Sequence, residues 1–135
     1  MGAKLPFFIL KELKMIYGIG TDIIEVSRIQ KAIEKNNGFK EKIFSPGEIA
    51  FCETKASKYQ SYAARFAGKE AFMKAYGTGW IDGIAWNEIE ILNLESGAPY
   101  LILTNRTKEV VDASSELKIH ISLSHLKEYA IAKVI

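Results

Sequence analysis

Two carboxylates stand at positions where ordinary patterning would place other residues. Asp22 follows glycines at positions 18 and 20 on one face of a predicted strand, and Glu70 falls within the apolar stripe of a predicted helix. A carboxylate buried without a partner is costly, so the position of Glu70 favours a cation, a metal or strong hydrogen-bond donors nearby. Oxygen ligands of this kind are those that Mg²⁺ prefers in proteins.

The helix that carries Glu70 also carries basic side chains. Arg65 and Lys69 are i, i+4 neighbours, and Lys74 lies one turn beyond Glu70. An acidic row beside a basic row suits a complex of magnesium with phosphate. The simpler alternative is that Glu70 pairs with Lys74 as a surface salt bridge while the basic row is solvated. The helix by itself leaves both interpretations open.

Length and composition predict one globular domain. A chain of 135 residues with 48% hydrophobic and 25% charged residues is long enough to bury about two-thirds of its unfolded surface. The net charge of +2 is too small to indicate nucleic-acid binding, and no stretch predicts an export signal or a membrane span. The single Cys52, interpreted as a buried apolar residue, excludes an intramolecular disulfide and fits a reducing cytoplasm. Residues 1–14 are expected to be an N-terminal extension to a functional domain spanning 15–135.

The hydrophobic pattern predicts an α+β domain in which an antiparallel sheet packs against helices. The helix that follows the short connection 39–44 is expected to begin with Ser45 as its N-cap and Glu48 completing a capping box. The predicted order is a strand over 15–26, helices over 25–36, from 46 and within 57–79, a hairpin over 86–104, a helix over 105–113 and a strand pair over 117–135.

Three further features each allow two interpretations. The glycine face of the first strand indicates either close approach of a ligand or tight strand packing. Arg28, Lys31 and Lys35 form a basic row that docks an acidic partner or is merely solvated. The Gly77-Thr-Gly79 segment leaves backbone open to a ligand, although a helix C-cap explains Gly77 equally well.

Three stretches together resemble a known family. They are Gly18-Ile-Gly-Thr-Asp22 followed by Arg28, then Arg65-Phe-Ala-Gly-Lys-Glu-Ala-Phe-Met-Lys74 with Gly77-Thr-Gly79, and finally Ile121-Ser-Leu-Ser-His125. Over about residues 15–135 the chain resembles holo-acyl-carrier-protein synthases, the small type of 4′-phosphopantetheinyl transferase. The central aromatic-x-x-Lys-Glu-Ala-x-x-Lys motif is specific when Gly-x-Asp precedes it at this distance.

The resemblance implies a magnesium-dependent enzyme of fatty acid biosynthesis. It would transfer the 4′-phosphopantetheine arm of coenzyme A to a serine of an apo acyl carrier protein and release adenosine 3′,5′-bisphosphate. Asp22 and Glu70 would hold the metal and, with Lys74, would be the catalytic residues. The residues expected to contact coenzyme A are Arg65, Lys69, Lys74, Gly77, Gly79 and His125.

The resemblance also implies partners and an assembly. The row of Arg28, Lys31 and Lys35 would dock the acidic carrier protein, although only Arg28 matches the family closely. A homotrimer in the cytoplasm is expected, with coenzyme A between adjacent subunits. The base that takes the serine proton stays open among Glu70, Asp22 and a water molecule on the metal, of which the water is favoured because a carboxylate holding magnesium is a poor base. Two rival hypotheses are a coenzyme A-binding module that has lost transfer and a purely structural domain. For His125 the alternative is a turn histidine that bonds only backbone.

Overall fold

The computed structural model describes residues 15–77, 83–114 and 116–135. Gly79 and the predicted extension over 1–14 lie outside the described residues. The elements in chain order are β1 (Gly20–Glu25), α1 (Val26–Glu34), α2 (Phe39–Ile43), α3 (Pro46–Glu53), α4 (Lys58–Tyr76), a 3₁₀ turn (Trp86–Glu88), β2 (Ile89–Asn93), β3 (Pro99–Leu103), α5 (Asn105–Ser114), β4 (Ile121–His125) and β5 (Tyr129–Val134).

The predicted α+β organisation is confirmed, with differences at the element boundaries. The first strand begins at Gly20 rather than at residue 15, and β4 begins at Ile121 rather than at 117. The connection predicted over 39–44 contains the short helix α2. Element boundaries are set by hydrogen-bond ladders that sequence patterning locates only approximately.

Helix α4 lies at the centre of the domain. Two antiparallel sheets accompany it, one with strand order β1-β5-β4 and one formed by β2 and β3. The helix has 19 residues and is buried on nearly every side, including Tyr62, Ala67 and Phe72. Burial on nearly every side makes α4 the central helix of the core, although it carries charged residues, so the neighbouring elements are positioned against it.

Gly20 at the start of β1 and Gly18 just before it pack directly on the backbone of α4. A Cβ atom built on Gly20 would lie 1.9 Å from the carbonyl oxygen of Ala71, and one built on Gly18 would lie 1.8 Å from that of Ala75. The two glycines therefore allow tight packing of the strand on the helix, and any larger side chain at either position would push the strand away. Because side chains alternate along a strand, Asp22 is the next residue to face the helix.

Helix α3 begins as the sequence predicts. The Ser45 hydroxyl accepts a hydrogen bond from the Glu48 backbone amide at 3.1 Å, and Glu48 Oε1 accepts from the Ser45 amide at 2.9 Å. These reciprocal bonds form a capping box. Later in the same helix, Cys52 is buried, and burial raises the pKa of its thiol to about 12. The interpretation of Cys52 as a buried apolar residue is confirmed.

The three-stranded sheet has one buried face and one exposed face. Along β5, Ala130 and Ala132 point into the core. The opposite side, here called the outer sheet face, consists of Thr21, Ile23, Glu25, Ser122, Ser124, Tyr129, Ile131 and Lys133. Three of these side chains are apolar and well exposed, Ile23 at 63%, Tyr129 at 46% and Ile131 at 42%. Within the described ranges, no helix combines the length and the apolar character that crossing a membrane requires.

Candidate functional site

Four charged groups meet where β1 packs on α4. Lys74 Nζ donates to Asp22 Oδ1 at 3.0 Å and to the Thr21 carbonyl oxygen at 3.1 Å. Burial and, next, the charge of Asp22 raise the pKa of Glu70, whereas Lys74 and Arg28 act in the opposite direction. The two carboxylates that the sequence singles out are therefore neighbours. We call Asp22, Arg28, Glu70 and Lys74 the carboxylate site.

The ion pair at this site differs from the surface salt bridge between Glu70 and Lys74 that the simpler alternative predicts. Lys74 bonds Asp22 on another element, rather than the i, i+4 residue Glu70. The Asp22 side chain is 15% exposed and the Lys74 side chain is 53% exposed. Glu70 is half-buried. Among the described residues, neither the Glu70 carboxylate nor Asp22 Oδ2 accepts a hydrogen bond, so both are free to bind a cation.

Lys69 has a different role from the one expected. The prediction placed it on a basic row facing coenzyme A, but its side chain is fully buried. Its ammonium donates to Glu48 Oε1 at 2.6 Å, to the Ile43 carbonyl at 2.8 Å and to the Trp86 carbonyl at 2.9 Å. An ammonium has three donors, and all three are occupied. Lys69 is thus a structural residue in the core and has no donor left for a phosphate.

The partner of Lys69 is also fully engaged. Glu48 Oε2 accepts from the Ile91 amide at 3.0 Å, in addition to the two bonds that reach Oε1. Burial lowers the pKa of Lys69, while the neighbouring Glu48 carboxylate raises it. Sequence patterning finds the capping role of Glu48 but misses its burial, because the lysine that neutralises it lies 21 residues away.

A second polar site lies around Arg65 and His125. An open pocket of about 470 Å³ is lined by both residues and by Lys55, Ser61 and Asn93, among others. The lining contains two cationic side chains, Lys55 and Arg65, and a histidine. Such a lining suits an anionic ligand. We call this the Arg65–His125 pocket. Sequence reasoning missed Lys55 and Asn93, because nothing in their local patterns distinguishes them from ordinary surface residues.

The guanidinium group of Arg65 is already held in place by protein. It donates to the Ile91 carbonyl at 3.1 Å and to Asn93 Oδ1, and it lies 4.4 Å from the centre of the Phe51 ring. Such contacts fix the orientation of the side chain and leave only its outer edge for a ligand. His125 Nδ1 lies 2.8 Å from Gln60 Oε1, which orients the imidazole.

The two sites lie on different sides of α4. Arg65 precedes Glu70 by five residues, which corresponds to a rotation of about 140° around the helix. Across the sheet, β5 separates Asp22 on β1 from His125 on β4, and two strand spacings are about 10 Å. The predicted site residues therefore form two separate groups within one chain.

The remaining predicted residues are exposed or form a helix end. Gly77 is the C-cap of α4, with φ of 90° and its amide bonded to the Met73 carbonyl. This conformation is sufficient to explain a glycine at this position. The contacts of Gly77 and Gly79 with coenzyme A stay predictions. Arg28 and Lys31 on α1, and Lys35 directly after it, are exposed.

Comparisons with known proteins give a consistent result. A model of the 4′-phosphopantetheinyl transferase superfamily matches residues 18–134. A holo-[acyl-carrier-protein] synthase of Ruminiclostridium cellulolyticum is 54% identical over 117 residues, covering 84% of this chain and 87% of the relative.

Solved structures agree with the sequence relatives. The holo-(acyl-carrier-protein) synthase of Bacillus anthracis in complex with CoA (3′,5′-ADP) superposes with a TM-score of 0.74 at 39% identity, covering 90% of this chain and 96% of that one. The holo-[acyl-carrier-protein] synthase of Neisseria meningitidis superposes with a TM-score of 0.81 at 30% identity, covering 89% and 97%.

We predict that Lys69→Met destabilises the fold by roughly 3–5 kcal/mol, because it leaves the Glu48 carboxylate buried without a cation. Adding Glu48→Gln removes that charge and keeps an oxygen for the Ser45 amide, so the double variant should be more stable than Lys69→Met alone. Urea unfolding measures both. Lys58→Met is the control, since the exposed Lys58–Glu53 pair contributes about 1 kcal/mol or less. A Lys69→Met variant as stable as the parent would contradict the structural role.

Proposed function

The chain belongs to the 4′-phosphopantetheinyl transferase superfamily, and we propose that its carboxylate site performs this transfer with magnesium bound between Asp22 and Glu70. The enzyme transfers the phosphopantetheine arm of coenzyme A to a serine of an apo acyl carrier protein. The observation that carries the metal assignment is the meeting of these two carboxylates with two cationic side chains at the contact of β1 with α4.

The donor set fits magnesium. Mg²⁺ typically takes one or two carboxylates and completes its octahedron with substrate phosphates and water. Among the described residues, no group of three or more His, Cys, Asp or Glu side chains could enclose a metal. Asp22 and Glu70 would therefore hold the ion together with further oxygens, which a diphosphate supplies. The bound ion would neutralise charge on that diphosphate.

The chain's own residues then position the reacting groups. In the reaction, the serine oxygen forms a bond to the phosphorus on the pantetheine side, and the bond from that phosphorus to the bridging oxygen breaks. The serine proton passes to a base, for which a water molecule at the site is favoured over Glu70 and Asp22, and adenosine 3′,5′-bisphosphate leaves with the electron pair of the broken bond. The Lys74 ammonium would neutralise the departing phosphate. Catalysis of this kind depends mainly on positioning and electrostatics.

The Arg65–His125 pocket is proposed to bind the nucleotide end of coenzyme A. Its cationic lining suits the phosphates, and His125 can donate to a phosphate or contact the base. Because this pocket and the carboxylate site lie on different sides of α4, we propose that one extended ligand contacts the pocket of one subunit and the carboxylate site of the next. This geometry supports coenzyme A lying between subunits of a homotrimer.

The outer sheet face is proposed to form the subunit contact. Ile23, Tyr129 and Ile131 expose apolar side chains on adjacent strands β1 and β5. Contiguous apolar surface of this kind marks an interaction site. We also propose that α1 docks the acidic carrier protein through the exposed Arg28, Lys31 and Lys35, and that the reaction belongs to fatty acid biosynthesis in the cytoplasm.

We predict that incubation with coenzyme A and magnesium adds one phosphopantetheine arm to an apo acyl carrier protein, as measured by intact mass. Chelator should abolish the gain. Asp22→Asn and Glu70→Gln should each slow transfer by roughly 100-fold or more, because each removes a charge that holds the metal, while their melting temperatures stay close to the parent value. Near-normal transfer by either variant would contradict the metal assignment. Coenzyme A binding without any transfer would favour a binding module.

We predict that Lys31→Glu raises KM for the carrier protein at low salt and has a smaller effect at high salt, because exposed charges are screened. Lys31 is a better probe of docking than Arg28, whose charge also acts on Glu70. KM for coenzyme A should not change. Lys108→Glu, on α5, is the matched control and should change neither KM for the carrier protein nor KM for coenzyme A. Equal effects of Lys31→Glu at both salt concentrations would contradict docking through α1.

We predict that Ile23→Lys dissociates the homotrimer, because it places a charge within an apolar subunit contact. Sedimentation velocity measures the change in mass. The control is Ile102→Lys on β3, since Ile102 is 39% exposed but lies in the other sheet. A parent protein that sediments as a monomer, or an Ile23→Lys variant that stays a trimer, would contradict this interface.

A further inference from the structure

In the carboxylate site, the Lys74 ammonium bonds the carboxylate that a metal would use. Nζ lies 3.0 Å from Asp22 Oδ1 and 3.1 Å from the Thr21 carbonyl oxygen. No other side chain among the described residues donates to Asp22. The ammonium also acts on Glu70 through its charge. A divalent cation between the two carboxylates would therefore sit beside an existing positive charge.

The Lys74 ammonium is able to leave this position. Its side chain is 53% exposed, so breaking the pair moves the ammonium into water rather than leaving a charge buried. The lysine side chain is long and flexible, and it binds as a point charge rather than through a fixed fork. Lys69, one residue before Glu70, contrasts with it, because Lys69 is fully buried and all three of its donors are used.

We propose that Lys74 is an exchangeable counter-ion that couples metal binding to coenzyme A binding. Without a divalent cation, it neutralises Asp22. When the cation and the diphosphate of coenzyme A bind together, the ammonium gives up Asp22 and pairs with the diphosphate. This inference rests on the proposed function, since it assumes that Asp22 and Glu70 hold the metal.

The exchange has a thermodynamic consequence. A doubly charged cation is repelled by the nearby ammonium when no other anion is available to Lys74, so the metal alone binds weakly. The diphosphate offers Lys74 a new partner and removes that penalty. Each ligand then strengthens the binding of the other by the same factor, because coupling between sites is reciprocal. Arg28 adds a second positive charge near Glu70 but makes no hydrogen bond to Asp22.

Mn²⁺ is the probe for the test, because the electron paramagnetic resonance signal of the free ion reports its binding. Mn²⁺ is titrated into the parent, Lys74→Met and Lys108→Met, each with and without coenzyme A. The Mn²⁺ that coenzyme A binds in the absence of protein is measured separately and subtracted. Lys108 is a matched control: its side chain is 59% exposed and it pairs with Asp112 on α5. Lys74→Arg keeps the charge and should behave more like the parent.

Without coenzyme A, Lys74→Met should bind Mn²⁺ roughly threefold to tenfold more tightly than the parent, as expected for removing one exposed charge near a divalent ion. Coenzyme A should strengthen Mn²⁺ binding more in the parent than in Lys74→Met. Lys108→Met should match the parent in both conditions. The proposal is overturned if Lys74→Met binds Mn²⁺ no more tightly than the parent, or if coenzyme A strengthens binding equally in both.

Asp22→Asn separates this proposal from the proposed function. If Asp22→Asn loses Mn²⁺ binding while Lys74→Met behaves like the parent, the metal site stands and only the counter-ion role fails. If Asp22→Asn binds Mn²⁺ as the parent does, the metal assignment is wrong and both proposals fail with it.

Discussion

The buried ion pair between Lys69 and Glu48 is the interaction on which the rest of the structure depends. Through its hydrogen bonds it joins the end of α2, the start of α3, the middle of α4, the 3₁₀ turn and strand β2. A buried pair is stable only when its remaining donors and acceptors are also satisfied, and here they are. The pair therefore fixes the position of α4. Because Glu70 directly follows Lys69 in this helix, its position is fixed as well.

The second constraint is the contact of β1 with α4. Without side chains at Gly18 and Gly20, the strand approaches the carbonyl oxygens of Ala75 and Ala71. That approach brings Asp22 beside Glu70 and within reach of Lys74. Two carboxylates that lie 48 positions apart in the sequence thus become one candidate metal site. The geometry of the site is a consequence of backbone packing as much as of the charged residues themselves.

Local patterns predicted those parts of the fold that depend on near neighbours. The capping box at Ser45 and Glu48 and the C-cap at Gly77, one of two interpretations of that glycine, each depend on residues within a few positions of one another. The unusual placement of Glu70 also indicated a functional carboxylate. The buried state of Lys69 could not be found in this way, because its partner is distant in sequence and its spacing from Arg65 is equally typical of an exposed basic row.

Asp22 and Glu70 are proposed to hold a divalent cation next to the diphosphate of coenzyme A. Anomalous diffraction from crystals grown with Mn²⁺ and coenzyme A tests this most directly, because the ion has a signal that water does not. We expect one strong anomalous peak between the two carboxylates, in contact with the diphosphate. Ordered coenzyme A with the peak at other residues, or with no peak between Asp22 and Glu70, would contradict it.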